Sequence, residues 1–169
     1  MIIRFESPAD VRAISELTTA AFAAVPQSQS TEAEIIEQLR ADGALTLSLV
    51  AVSDDEIIGH VAFSPVAITG GQEGWYGLGP VAVRPDCQKQ GIGQILIRRG
   101  LEELRALGAL GCVVLGDPHY YQRFGFENDP TLTFACQPAP YFQRLVFAGS
   151  SASGDVVYHP AFGCESHSA

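Results

Sequence analysis

The stretch Leu78–Leu107, LGPVAVRPDCQKQGIGQILIRRGLEELRAL, constrains the chain more than any other. Leu78–Val83 is apolar and rich in valine, which predicts a buried strand. Pro85 ends it, because proline cannot donate to a ladder. A short loop, Asp86–Gln90, leads to Gly91-Ile92-Gly93, and from Ile92 the period becomes helical. Ile92, Ile95, Leu96, Leu104 and Leu107 fall near one face, widened by Ile97 and Leu101, and Gly108 is the expected C′ residue. A helix that opens on a glycine loop is an anion site. Its first N–H groups lack intrahelical partners, and the macrodipole adds partial positive charge there. Gly91 and Gly93 have no Cβ, so a phosphate can approach the backbone closely. A tight strand-to-helix turn that merely favours glycine has the same spacing, and spacing alone leaves both readings open.

Two familiar phosphate motifs do not fit. No G-x-x-x-x-G-K-[ST] run is present. The dinucleotide fingerprint needs Gly or Ala where Leu96 stands, and no acidic residue closes an evident second strand downstream. Gln88-x-x-Gly91-x-Gly93 does fit a pattern. It resembles the Q/R-x-x-G-x-G/A signature of the GCN5-related N-acetyltransferases, the GNAT family. A second stretch, Asp117-Pro118-His119-Tyr120-Tyr121-Gln122-Arg123-Phe124-Gly125-Phe126, is similar to that family's FYxxxGF ending. The resemblance runs from Ile2 to Phe126, and the wording GDPHYYQRFGF resembles a YhbS-like bacterial subgroup of predicted acetyltransferases.

The resemblance implies an α/β (α+β) fold, a central mixed, mostly antiparallel sheet flanked by helices and opened at the acetyl-CoA site. It implies acetyl-CoA as co-substrate. Backbone amides of Gln88, Lys89, Gln90, Gly91, Ile92 and Gly93 would hold the pyrophosphate. Backbone groups of Val81, Ala82 and Val83 would meet the pantetheine arm where the sheet opens. Asp117 would stand near the pantetheine, replacing the family's asparagine, or would only cap the short helix. Tyr121 takes the place of the family's tyrosine and is the candidate general acid. A phenol near pKa 10 and a thiol near 8.5 make that transfer uphill by roughly 2 kcal/mol, a gap that burial of the thiolate narrows. Tyr120 reads as packing. A one-place shift would exchange the two.

The acetyl group would pass directly to a primary amine, so no enzyme nucleophile is needed and positioning supplies much of the acceleration. A strand N–H near Val83 would polarise the thioester carbonyl. The base is not identified: the strand Trp75–Val83 lacks the glutamate many family members carry. Glu73, His60 and the group Glu32, Glu34 and Glu37 are weak alternatives. The missing glutamate and asparagine keep open a non-catalytic acyl-CoA-binding or interaction module. An O-acyl or longer-acyl transferase also stays open, since pocket size is not visible in sequence.

Composition bounds the partners. The chain has 169 residues, 47% of them apolar, which predicts one folded domain with a sizeable core. A formal net charge of −9 argues against nucleic acid and anionic membrane as partners. The partners left are acetyl-CoA and a small-molecule or protein amine, with a homodimer left open. Cys87, Cys112, Cys136 and Cys164 contain no C-x-x-C pair, and no metal site is expected. Cys112 reads as core and Cys87 as a bystander thiol in the loop. With no signal peptide and no run long enough to span a bilayer, a cytoplasmic enzyme is the expectation.

The remaining segments carry ordinary signals. Met1–Phe5 predicts a first strand. Ser7-Pro8-Ala9-Asp10 predicts a helix start, with Val11, Ile14, Leu17, Ala21 and Phe22 at helical spacing as far as Pro26. Gln27–Ser30 is a polar connection. Thr31-Glu32-Ala33-Glu34 predicts a capping box, followed by an apolar face of Ile35, Ile36 and Leu39. Leu45–Val52 and Glu56–Ile68 predict strands joined by a turn at Ser53-Asp54-Asp55. Trp75–Val83 predicts the next strand, with a missing ladder bond or a bulge at Pro80. Cys112–Leu115 predicts the strand after the helix. Leu132–Cys136 and Tyr141–Phe147 predict a hairpin-like return, Asp155–His159 a last short strand, and Gly163–Ala169 a frayed tail.

Overall fold

The computed structural model describes residues 1–26, 28–135 and 140–163. Gln27 of the polar connection, Cys136 with the end of its expected strand, and Cys164 with the tail after Gly163 lie outside the described residues. The elements in chain order begin with β1 (Ile2–Phe5), α1 (Val11–Phe22), α2 (Glu32–Ala41), β2 (Leu47–Ser53), β3 (Glu56–Pro65) and β4 (Ala67–Ile68). They continue with β5 (Trp75–Val83), α3 (Ile92–Ala106), β6 (Gly111–Leu115), α4 (Pro118–Tyr121), β7 (Leu132–Thr133), β8 (Phe142–Val146) and β9 (Gly154–Val157). The class is mixed α/β, and the sheet is mixed because β6 pairs in parallel with β5 and antiparallel with β8. The chain divides into two compact units, Met1–Phe63 with Gly79–Glu103, and Ser64–Leu78 with Leu104–Ala169. Strand β5 therefore gives its first residues to the second unit and its last to the first. Among the described residues no helix is long and apolar enough to cross a membrane.

In the first unit β1, β2 and β3 are antiparallel neighbours, from Ile2↔Val52 to Phe5↔Leu49 and from Leu47↔Phe63 to Ser53↔Glu56. The turn between β2 and β3 places Asp54 at φ 51° and Asp55 at φ 63°. Aspartate tolerates that left-handed conformation, and two such residues form the hairpin turn whose twist suits flanking strands. Helices α1 and α2 bring Ile14 and Ile36 onto Val50, beside Leu45, Val52 and Ile57. Each fully buried aliphatic side chain of this kind stabilises by about 1.5–3 kcal/mol. The first helix starts where Ser7 and Pro8 place it, and the second differs from expectation at its cap. Pro8–Asp10 is a 3-10 turn ahead of α1, with Asp10 accepting from the Ser7 N–H at 2.7 Å. At α2 the Thr31 side chain makes no cap bond, so the predicted capping box does not form. Glu32 instead accepts from the Ser28 hydroxyl at 2.7 and 2.8 Å.

Helix α3 lies along β3, and two glycines set the approach. A Cβ on Gly59 would stand 2.9 Å from Leu96 and 3.0 Å from Ile92. A Cβ on Gly100 would stand 2.2 Å from the Phe63 ring. The buried face of α3 is Ile92, Leu96, Ile97, Leu101 and Leu104. Ile95 and Leu107, expected on that face, are exposed at 43% and 59%. At 100° per residue Ile95 points away from Leu96 and Gly100, and Leu107 lies past the helix end. Gly108, at φ 84°, closes the helix as expected.

In the second unit the β5–β6 ladder is short. It runs from Trp75↔Gly111 to Gly77↔Val113 and stops, although β6 continues to Leu115. On the other edge of β6, β8 pairs over the whole strand, from Gly111↔Val146 to Leu115↔Phe142. Strand β9 pairs antiparallel with β4 and parallel with β7. Among the described residues the hairpin expected from 132–136 and 141–147 does not form: their strands β7 and β8 pair with β9 and β6. The expected strand Glu56–Ile68 also breaks after Pro65, where the Val66 N–H turns to the Trp75 carbonyl at 3.1 Å. Gly79–Pro80 is a cis peptide within β5. The core here gathers Trp75, Val113, Phe134, Phe142 and Tyr158. Gly111 leaves room for the Trp75 indole, which an added Cβ would meet at 2.4 Å.

Candidate active site

The glycine loop is built on the end of β5. The Arg84 N–H donates to the Ile58 carbonyl of β3 at 2.9 Å. The Arg84 guanidinium spans Glu56 and Asp86, each at 2.7 Å. Such exposed pairs add little stability, but they hold the Pro85–Cys87 turn against β3. The Gln88 side-chain amide then donates to the Val83 carbonyl at 3.0 Å. Lys89 follows at φ 63° and Gly91 at φ 85°. The Gly91 carbonyl accepts the first helical bond from Ile95 N–H at 3.1 Å. Gly91 is therefore the N-cap of α3, and the N–H groups of Ile92, Gly93 and Gln94 have no intrahelical acceptor. A Cβ on Gly91 would meet nothing within 4 Å. The loop thus leaves backbone donors without intrahelical acceptors at the positive end of a long helix, beside an uncrowded Gly91, the arrangement an anionic phosphate needs. Cys87 is half-buried in the preceding turn, its thiol 3.6 Å from the Asp86 carboxylate.

Val81, Ala82 and Val83 lie in the first unit with the loop, and the second unit holds Asp117 and Tyr121. Asp117 is the N-cap of α4 and accepts from the His119 N–H at 2.9 Å, so its carboxylate serves the cap. Tyr121 ends α4, half-buried, with its ring 5.0 Å from Tyr120 and 6.0 Å from both Phe124 and Phe126. The ring lies over Gly116, where a Cβ would stand 2.4 Å from it. Burial pushes the Tyr121 phenol well above its ordinary value, and Tyr120 and Cys112 add to that. Tyr121 thus keeps its proton at any working pH. Tyr120 carries the Arg123 guanidinium over its ring face at 4.5 Å, in keeping with a packing role.

The candidates for a base are scattered. Glu34 and Glu37 are exposed on α2, and Glu32 is tied to Ser28. Glu73 lines a cavity of about 490 Å³ beside Trp75 and Tyr76 in the second unit. His60 is fully buried on β3 with Nε2 2.7 Å from Ser48 Oγ. Ser48 Oγ in turn donates to Glu6, and Arg40 grips both Glu6 oxygens at 2.9 Å. Sequence reasoning missed this Arg40–Glu6–Ser48–His60 chain, whose members come from four separate elements or loops. Among the described residues no group of three His, Cys, Asp or Glu is placed to hold a metal.

Comparison with known proteins decides the family. The model of the acetyltransferase (GNAT) family matches residues 11–126. The chain belongs to the GNAT family. It is 42% identical over 128 residues to the uncharacterized N-acetyltransferase YhbS of Escherichia coli, covering 75% of this chain and 74% of that one. A GNAT acetyltransferase of Brucella melitensis, solved in complex with acetyl-CoA, is 52% identical with a TM-score of 0.86, covering 95% of this chain and 97% of that one. Escherichia coli YhbS, solved in complex with CoA, is 37% identical with the same TM-score of 0.86, covering 96% and 92%. This GNAT chain is accordingly an acetyltransferase by family, with the mixed α/β fold of those structures.

Proposed function

We propose that this GNAT protein binds acetyl-CoA with its pyrophosphate against the amides of Gln88–Gly93 and passes the acetyl group directly to a primary amine. The observation that carries the reading is the N-terminus of α3, where three first-turn N–H groups have no intrahelical acceptor and a Cβ on Gly91 would meet nothing within 4 Å. The similar proteins of Brucella melitensis and Escherichia coli, solved with acetyl-CoA and CoA, support the same ligand. Backbone groups of Val81, Ala82 and Val83 take the pantetheine arm along the end of β5. The amine attacks the thioester carbon, the C–S bond breaks, and the CoA thiolate leaves. Tyr121 gives its phenolic proton to that thiolate, and the proton that the acylated nitrogen sheds passes to solvent water, from which the phenol is reprotonated. Burial raises the phenol, so the transfer is efficient only when the thiolate is desolvated as well, which an enclosed site provides.

A screen of amine acceptors, read as free-thiol release from acetyl-CoA, tests the proposal. Release that depends on both the amine and the protein, with an acetylated amine as product, is the expected result. Tight acetyl-CoA binding without release on any amine would contradict it and favour a non-catalytic acyl-CoA-binding module.

A further inference from the structure

We infer that His60 is a positioning residue for the attacking amine: Glu6 and Ser48 lock its ring as the Nε2–H tautomer, and its bare Nδ1 accepts a hydrogen bond from the amine through one ordered water. The inference rests on the acetyl-transfer reading above and adds to it the group that orients the nucleophile.

The tautomer follows from counting hydrogens. Arg40 Nε and Nη2 donate to the two oxygens of Glu6 at 2.9 Å each, which holds Glu6 as an ionised, acceptor-only carboxylate. Burial alone would raise Glu6, but the bonds from Arg40 and Ser48 outweigh it and leave it below its ordinary value. Ser48 spends its single hydroxyl hydrogen on Glu6. Toward His60, 2.7 Å away, Ser48 Oγ is then only an acceptor, so Nε2 carries the ring proton. A neutral imidazole has one proton, and Nδ1 is left with a lone pair. The ring is neutral, because burial lowers its pKa from 6.5 to about 4, with Arg40 lowering it and Glu6 opposing. The charged groups around this chain are Glu6 after β1, Arg40 on α2, and Glu37, which acts on Arg40.

Nδ1 is buried and has no hydrogen-bond partner among the described residues. A buried ring nitrogen in a native protein is normally met by a donor or an ordered water. Its place on the sheet indicates what the donor serves. Strands β3 and β5 are neighbours in the sheet, the Arg84–Ile58 bond ties their ends, and two residues back along each strand from that bond stand His60 and Ala82. Ala82 is the middle of the segment proposed to hold the acetyl arm. A fixed neutral acceptor beside that segment draws one N–H of the amine toward itself and leaves the nitrogen lone pair free for the thioester carbon. No proton is transferred to His60, so no charge is created on the buried ring.

The test uses the full-length protein labelled with ¹⁵N, and the His60 signals are assigned by comparison with His60→Leu. The expected pattern is a protonated Nε2 and an unprotonated Nδ1 at neutral pH, lost or mixed in Ser48→Ala. With the amine found by thiol release, single-turnover transfer by Ser48→Ala and His60→Leu should slow by roughly 10–100-fold. Acetyl-CoA affinity should stay within about twofold of wild type, because the acceptor acts on the amine and not on CoA. An Nδ1–H tautomer in the wild-type protein overturns the inference, and so does wild-type transfer by folded Ser48→Ala. Should His60→Leu fail to fold, Ser48→Ala, which removes one oxygen, decides alone. Wild-type protein that binds acetyl-CoA but acetylates no amine would sink the acetyl-transfer reading itself, a result distinct from normal transfer by the variants.

Discussion

The Gln88 side chain donates to the Val83 carbonyl at 3.0 Å, tying the first residue of the glycine loop to the last residue of β5. The loop is thereby shaped before any ligand arrives, which reduces the ordering cost of binding. Gln88→Leu removes the bond and keeps the bulk. A net hydrogen bond is worth about 0.5–1.5 kcal/mol, so acetyl-CoA affinity should fall by about 2–12-fold with little change in melting temperature. Isothermal titration of the variant beside the wild type checks this. Equal affinities would show that the loop holds its shape without the tether.

Tyr121→Phe deletes one hydroxyl and keeps the ring that packs on Gly116, Phe124 and Phe126. If the phenol protonates the thiolate, the chemical step should slow by roughly 10²–10⁴-fold. Acetyl-CoA affinity should change far less, since the proton is needed only as the thiolate develops. Tyr120→Phe should be milder. Single-turnover transfer at saturating acetyl-CoA measures both, and a near-normal rate for Tyr121→Phe rejects the acid role.

The sequence made the loop legible because one short run holds all its parts. The strand ending at Val83, the Gln88-x-x-Gly91-x-Gly93 spacing and the helix from Ile92 stand in the structure where they were expected. The α3 face was only partly legible: an apolar count cannot tell that Gly100, having no side chain, lies in the buried seam while Ile95 is left outside. The partners of β7 and β8 were not legible at all, because strand pairing over long separations leaves no local signal. The same holds for the bond network of Glu6, Ser48 and His60, whose members are polar residues in unremarkable local contexts.

Buried His60 ties stability to pH. Its folded-state pKa of about 4 lies below the ordinary 6.5, so between those values the unfolded chain binds the extra proton. The contribution of neutral His60 is fully present above pH 6.5 and is lost as pH falls toward 4, up to about 3 kcal/mol in all. His60→Gln does not titrate. The wild-type minus variant difference in unfolding free energy, from urea titrations at pH 4 to 8, should shrink in the wild type's disfavour as pH drops through that window. A difference independent of pH would mean that His60 is not held neutral by burial.

Gly100 faces the Phe63 ring, with a Cβ placed 2.2 Å from Cε1 and 2.5 Å from Cζ. Phe63 is fully buried and cannot swing away. Gly100→Ala gains helix propensity of about 1 kcal/mol, but overpacking costs about 1–3 kcal/mol and should win. A lower melting temperature by differential scanning calorimetry is the expected outcome. A higher one would show that α3 shifts on β3 freely.

The claim on which the account rests is that the Gln88–Gly93 loop cradles the acetyl-CoA pyrophosphate, and titration calorimetry with Gly91→Val and Gly93→Val addresses it most directly. At Gly91 the backbone stands at φ 85°, where a β-branched residue is strained, so valine there distorts the cradle as well as crowding it. Both variants should remain folded by circular dichroism, and each should bind acetyl-CoA at least roughly tenfold more weakly, a loss of about 1.4 kcal/mol or more. Unchanged affinity in both folded variants would contradict the account.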